Sequence, residues 1–147
     1  MKRVLAAIMP VLCSCGTIPQ LDRPVDLIFS RALPVCAVIA DAQSYNGRSI
    51  LIDGLYKVEP HGAIFFGSSC SGDVVRLEKA EKYTENKEAK SLLEVSMDAD
   101  ETKSIEVVYR AVFRIVQGLQ CSDVRCFRYE IEITELVAAR QAMNAQH

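Results

Sequence analysis

The alternation of apolar and polar positions is clearest towards the C-terminal end, where Phe127, Tyr129, Ile131 and Ile133 interleave with Arg128, Glu130, Glu132 and Thr134. A two-residue period puts one set on each face of an extended strand, so this run predicts a strand with one buried side. Val108 to Gln120 holds Ala111, Phe113, Ile115 and Leu119 on one parity and predicts a second long strand. Arg48 to Val58 alternates through Ile50, Ile52, Tyr56 and Val58, and Gly54 in its middle marks an expected bulge or sharp bend. Ala63 to Gly67 and Val74 to Leu77 are shorter apolar runs. They are bounded by the turn clusters Glu59-Pro60-His61-Gly62 and Gly67-Ser68-Ser69-Cys70-Ser71-Gly72-Asp73.

Helical spacing is scarcer. Val35, Val38, Ile39 and Ala42 share one face of a short helix predicted from Val35 to Tyr45 and ended by Asn46-Gly47. Asp26 to Leu33 allows a weak helical turn before Pro34. Residues 78–104 mix lysines with acids, which predicts a charged, solvated connection carrying one amphipathic helix, Glu88 to Val95, with Ala89, Leu92 and Leu93 on a common side. From Leu136 onward the Ala- and Gln-rich residues lack a cap, so 137–147 are expected to be a frayed tail. The fold class is therefore mainly β (α+β), with five strands preceded by a short helix.

Register follows from the same pattern. A tight turn over Ser122-Asp123-Val124-Arg125 would bring Cys121 opposite Cys126, but a regular ladder from that point sets apolar Ile115 against Glu132. One extra residue corrects the mismatch, and Gly118 is where such a bulge is expected.

The N-terminus changes the compartment. Lys2 and Arg3 precede the apolar run Val4 to Leu12, too short for a bilayer span but suited to an export signal. Leu12-Cys13-Ser14-Cys15 resembles the bacterial lipobox, with Leu three residues ahead of the lipidated cysteine and a small residue directly ahead. The resemblance implies cleavage after residue 14 and acyl chains on Cys15; Gly16, Pro19 and Pro24 suit a tether over 15–34, before a domain over 35–136. Gly16 after the cysteine implies the outer membrane, facing the periplasm. Formal net charge is -2, with 17 Lys+Arg against 19 Asp+Glu, and loss of Lys2 and Arg3 leaves about -4. An acidic exported chain has no field to gather nucleic acid phosphates, so nucleic acid is not an expected partner. The expected membrane contact is the lipid anchor.

Cleavage removes Cys13 and acylation turns Cys15 into a thioether, leaving Cys36, Cys70, Cys121 and Cys126. An even number in an oxidising compartment predicts two disulfides; three connectivities are possible, and the close spacing favours Cys121 with Cys126, leaving Cys36 for Cys70. Zinc is the weaker reading, since no Cys-x-x-Cys pair is present and His61 is the one internal histidine. No metal or cofactor is expected.

Ala37 to Gly54 resembles the entry to OB-like domains of exported bacterial proteins, carried by Tyr45, Gly47, Arg48, Ile50, Ile52 and Gly54, with Val116-Gln117-Gly118 resembling their glycine-marked fourth strand. The resemblance covers about 35–136 and implies a five-stranded, partly open OB-like barrel. It carries no catalytic residue across.

Candidate chemistry is thin. Ser69 with His61 would serve a small hydrolase, but Ser71 stands where a nucleophile elbow needs glycine. Asp53 and Glu59 form a possible carboxylate pair. Arg110, Arg114, Arg125 and Arg128 could make an anion- or glycan-binding face, although interleaved Glu130 and Glu132 favour cross-strand ion pairs. Tyr45 or Tyr56 could line a ligand groove at the barrel mouth. The candidate binding residues are thus Tyr45, Tyr56, Arg114 and Arg128. The expected role is non-enzymatic, binding or structural, with an envelope protein or glycan as partner; an inhibitor or immunity-type module against an exported hydrolase is the alternative.

Overall fold

The computed structural model describes residues 24–59, 62–70, 73–99, 104–121 and 126–142. The elements run α1 (Pro24–Arg31), β1 (Leu33–Pro34), α2 (Val35–Ala40), α3 (Ala42–Tyr45), β2 (Ser49–Glu59), β3 (Gly62–Phe66), β4 (Val74–Glu85), α4 (Lys87–Ala99), β5 (Ile105–Cys121) and β6 (Cys126–Gln141). The chain is mostly β with a few short helices, as the alternation predicts.

The strands form one sheet in the order β1-β2-β3-β4-β6-β5, with a further pairing of β5 to β2. The pairings β2–β3–β4–β6–β5 therefore return to β2. All are antiparallel except β4 with β6, and β1 adds two parallel pairs to β2. The ladder between β3 and β4 is thin, holding only Phe65 opposite Val75 and Phe66 opposite Val74.

The core sits on the face where the two-residue periods coincide. Ile105, Val107, Tyr109, Ala111 and Phe113 are buried in one unbroken row along β5, against Ile52, Phe65, Val75, Ile131, Ile133 and Leu136 from the other strands. Side chains of alternate parity on neighbouring strands can share a core only if the registers agree, which explains the irregularities in β5–β6. Ile115 faces Tyr129 while Gln120 faces Phe127, so the expected bulge is present between Ile115 and Gln120. It is larger than the single extra residue expected: Cys121 meets Cys126, and three more residues lie on β5 than on β6 across the shift. Gly118 inside it has φ 79°, the left-handed region where a side chain is strained.

Several boundaries differ from the sequence reading. The helix expected over Val35 to Tyr45 is two short helices broken at Asp41, although Gly47 does end the segment with φ 77°. Gly54 makes no bulge: β2 pairs with β5 without a shift from Ser49 to Tyr56. The residue is instead demanded by close approach, because a Cβ there would lie 2.7 Å from Phe65 ring carbons. The charged connection over 78–104 is in part strand, since β4 continues to Glu85 and pairs with β6. Of the helix expected at Glu88 to Val95, α4 covers the whole and extends to Ala99. Its start is fixed by Asn86, whose side-chain oxygen accepts hydrogen bonds from the Glu88 and Ala89 N–H groups at 3.0 and 3.1 Å.

The frayed tail is also corrected. β6 runs through Gln141, paired opposite Ile105, and Ala138 is buried. Part of the expected tether is structured too: α1 lies over the outer face of the sheet, where Ile28 and Phe29 pack against Ala32, Val108 and Ala138. Val108 of β5 and Ala138 of β6 are therefore buried on the outer face as well, and local preference for helix yields to pairing and burial. The export signal, Cys15, tether residues 15–23, His61, Arg125 and tail residues 143–147 lie outside the described residues.

Candidate functional site

Below α4 the inward row of β5 meets a gap. After its two pairs with β3, β4 diverges, and the interior opens into a cavity of about 440 Å3 lined by Tyr56, Ala63, Leu77, Tyr83, Tyr109 and Leu136 together with Leu93 of α4. Tyr56 and Tyr109 share the inward parity of β2 and β5. Tyr83 lies near the C-terminal end of β4, within the register shift between Lys79 and Thr84. Asn86 caps α4 and also donates its backbone N–H to the Leu136 carbonyl at 2.9 Å, which fixes the helix over this end of the sheet.

The rim is charged but balanced. Lys90 lies 2.8 Å from one oxygen of Glu85 and 4.0 Å from Glu94, and Lys79 lies 3.9 Å from the other oxygen of Glu85. The hydrogen bond from Lys90 is the largest cause holding the Glu85 carboxyl below its ordinary value, and the same bond raises the Lys90 ammonium. The Lys79 ammonium also sits 4.7 Å above the Tyr83 ring. Inside, the phenols resist ionisation. Burial pushes up Tyr56, and burial followed by the Glu85 carboxylate pushes Tyr83 up to about 12. Tyr109 is 3% exposed, with its ring edge-on to Phe65 at 5.6 Å, and burial raises its hydroxyl well above the usual phenol range. The interior of the cavity is thus walled by neutral phenols and aliphatic side chains at neutral pH.

A second hollow, about 420 Å3, lies by α2 and includes Asp53, Ser68, Ser69, Glu106 and Arg140. Burial, then the Glu106 carboxylate, raises the Asp53 carboxyl, while Arg140 acts in the opposite sense. Arg140 is committed to structure: it pairs with Glu106 and with Asp26 at 3.3 Å, and its guanidinium stacks 4.0 Å from the centre of the Phe29 ring. Cys36, on the wall of this hollow, is disulfide-bonded to Cys70 at 2.16 Å, and Cys121 is bonded to Cys126 at 2.03 Å.

The remaining sequence candidates are dispersed. Tyr56 lines the tyrosine cavity; Tyr45 packs against the core from the end of α3 and is not among the cavity residues. Arg114 is ion-paired with Glu132, and Arg110 with Glu135 at 3.0 Å, the cross-strand pairing that competes with an anion-binding face. Arg128 is exposed on β6. Ser69 stands at the rim of the second hollow. Sequence reasoning did not single out Tyr83, Tyr109, Glu85 or Lys90. For Tyr109 the signal was present: Ile105, Val107, Tyr109, Ala111 and Phe113 keep one parity, and starting the strand three residues earlier would have put the phenol in the inward row. No family model, curated protein or solved structure matches the chain.

Proposed function

We propose that the protein is an exported bacterial lipoprotein, cleaved before Cys15 and held by acyl chains on the outer membrane facing the periplasm, whose OB-like barrel binds an envelope ligand without catalysing a reaction. The observation that carries this reading is the pairing of Cys36 with Cys70 and Cys121 with Cys126, since these are all the cysteines left after such cleavage besides the acylated Cys15. Disulfides persist in oxidising compartments, and the lipobox-like Leu12-Cys13-Ser14-Cys15 supplies both export and anchor. Acyl carbons at about 0.8 kcal/mol per buried methylene hold a chain on a membrane without a spanning helix.

The returning strand order, the parallel pairing of β4 with β6 and the placement of α4 between β4 and β5 support the OB-like barrel. The tyrosine cavity supports binding as its role, because aliphatic walls with a few polar groups are the usual make-up of a ligand site. Palmitate labelling in a bacterial host tests the anchor. Label is expected on the wild-type protein and lost in Cys15→Ala; label retained by Cys15→Ala overturns the assignment.

A further inference from the structure

We propose that the cavity beneath α4 takes an uncharged ring compound carrying a carbonyl oxygen, which accepts a hydrogen bond from the Tyr109 hydroxyl. The inference rests on the reading of this cavity as the ligand site and adds the chemistry of the ligand.

Tyr109 is the central observation. It is 3% exposed and lines the cavity, yet its hydroxyl makes no hydrogen bond among the described residues. No fully buried side-chain nitrogen or oxygen among those residues is left without a partner, so this oxygen is not sealed in protein; it opens into the cavity. A phenol removed from bulk water and given no protein partner is a donor prepared for something that enters. Because burial keeps it protonated it has a proton to give, and since the ring draws on the oxygen's lone pairs a phenol donates better than it accepts; its best complement is an acceptor oxygen.

The charge of the ligand follows from the rim. Lys79, Lys90, Glu85 and Glu94 contribute two charges of each sign and are paired with one another, so no net field favours an anion or a cation. A cation is further disfavoured because the Lys79 ammonium already occupies a face of Tyr83. An ion carried past this rim would lose hydration among Leu77, Leu93, Ile133 and Leu136 without gaining a counter-charge. A ring compound suits the walls, since Tyr56, Tyr83 and Tyr109 offer aromatic surface, and about 440 Å3 lies in the range of small-molecule sites.

Equilibrium dialysis of the full-length protein in detergent, against detergent alone as blank, tests both layers. The probes are acetylnaphthalene, isopropylnaphthalene of the same shape without the carbonyl, anionic naphthoate and cationic naphthyl-trimethylammonium. Acetylnaphthalene is expected to bind about tenfold more tightly than isopropylnaphthalene, the scale of one net hydrogen bond, and more tightly than either ion. Tyr109→Phe, which keeps the ring, is expected to erase the tenfold preference. Leu93→Trp fills the cavity and is expected to abolish binding of both neutral probes; Ala63→Trp, at an exposed rim position, gives the same test without disturbing a core contact. Tighter binding of an ion, or a preference that survives Tyr109→Phe, overturns the ligand class while leaving the cavity as the site. Binding that persists in both tryptophan variants, or no binding of any probe, overturns the cavity reading itself.

Discussion

At Gly54 the space a side chain would take is held by Phe65, two of whose ring carbons lie 2.7 Å from the position of a Cβ, with the Phe66 carbonyl oxygen at 3.0 Å. Phe65 is fully buried and cannot swing away cheaply. Gly54→Ala is therefore expected to lower stability by about 1–3 kcal/mol in denaturant titration, the cost of overpacking a filled core. The glycine was visible in the sequence, but its reason was not, because a ring arriving from β3 leaves no mark on the β2 pattern. The buried phenols give a second expectation. Tyr56, Tyr83 and Tyr109 all ionise less readily in the fold than in the unfolded chain, whose phenols titrate near about 10. The folded state then keeps its protons longer, so stability is level below about pH 10 and falls as pH rises above it. Tyr109→Phe should make the alkaline fall in denaturation midpoint shallower; an unchanged slope would refute the phenol's contribution.

The elements were legible wherever one face alone is buried. The inward rows of β5 and β6, and even the need for a bulge by Gly118, follow from parity because a slip of one residue exchanges the two faces. Where both faces are covered, or where charge alternates, the period fades. The end of β6 read as a helix-prone tail because Ala138 and Ala139 carry little strand signal, and α1 read only as a weak helical turn within the tether because its cover was unknown. One side chain joins these two segments. Arg140 of β6 holds Asp26 of α1 and lies on Phe29, while also pairing with Glu106 of β5. Arg140→Ala is expected to cost about 1 kcal/mol, as partly exposed ion pairs and a cation–π contact each contribute little. Its sharper effect is local. The Ala32 amide, bonded to the Phe29 carbonyl at 3.2 Å, should exchange hydrogen faster in the variant while core amides of β5 do not; equal change at both sites would contradict docking of α1 through Arg140.

For the whole molecule, periodicity names strands but not their neighbours, and the parallel pairing of β4 with β6 is set by tertiary packing that no local pattern records. The tyrosine cavity is a product of that topology: its residues come from β2, β3, β4, α4, β5 and β6. The cysteines were more legible, since parity and one short spacing sufficed to favour the two pairs now seen. By loop-closure arithmetic the long Cys36–Cys70 link contributes about 4 kcal/mol, more than the short one. We propose, above all, that this domain reaches an oxidising compartment on a lipid anchor. Intact mass spectrometry, on protein isolated from membranes without reductant and treated with a thiol-alkylating reagent, tests it most directly. The predicted result is a chain beginning at Cys15 with added acyl mass and no alkylation. A chain retaining residues 1–14 and alkylated at Cys36, Cys70, Cys121 and Cys126 would contradict it.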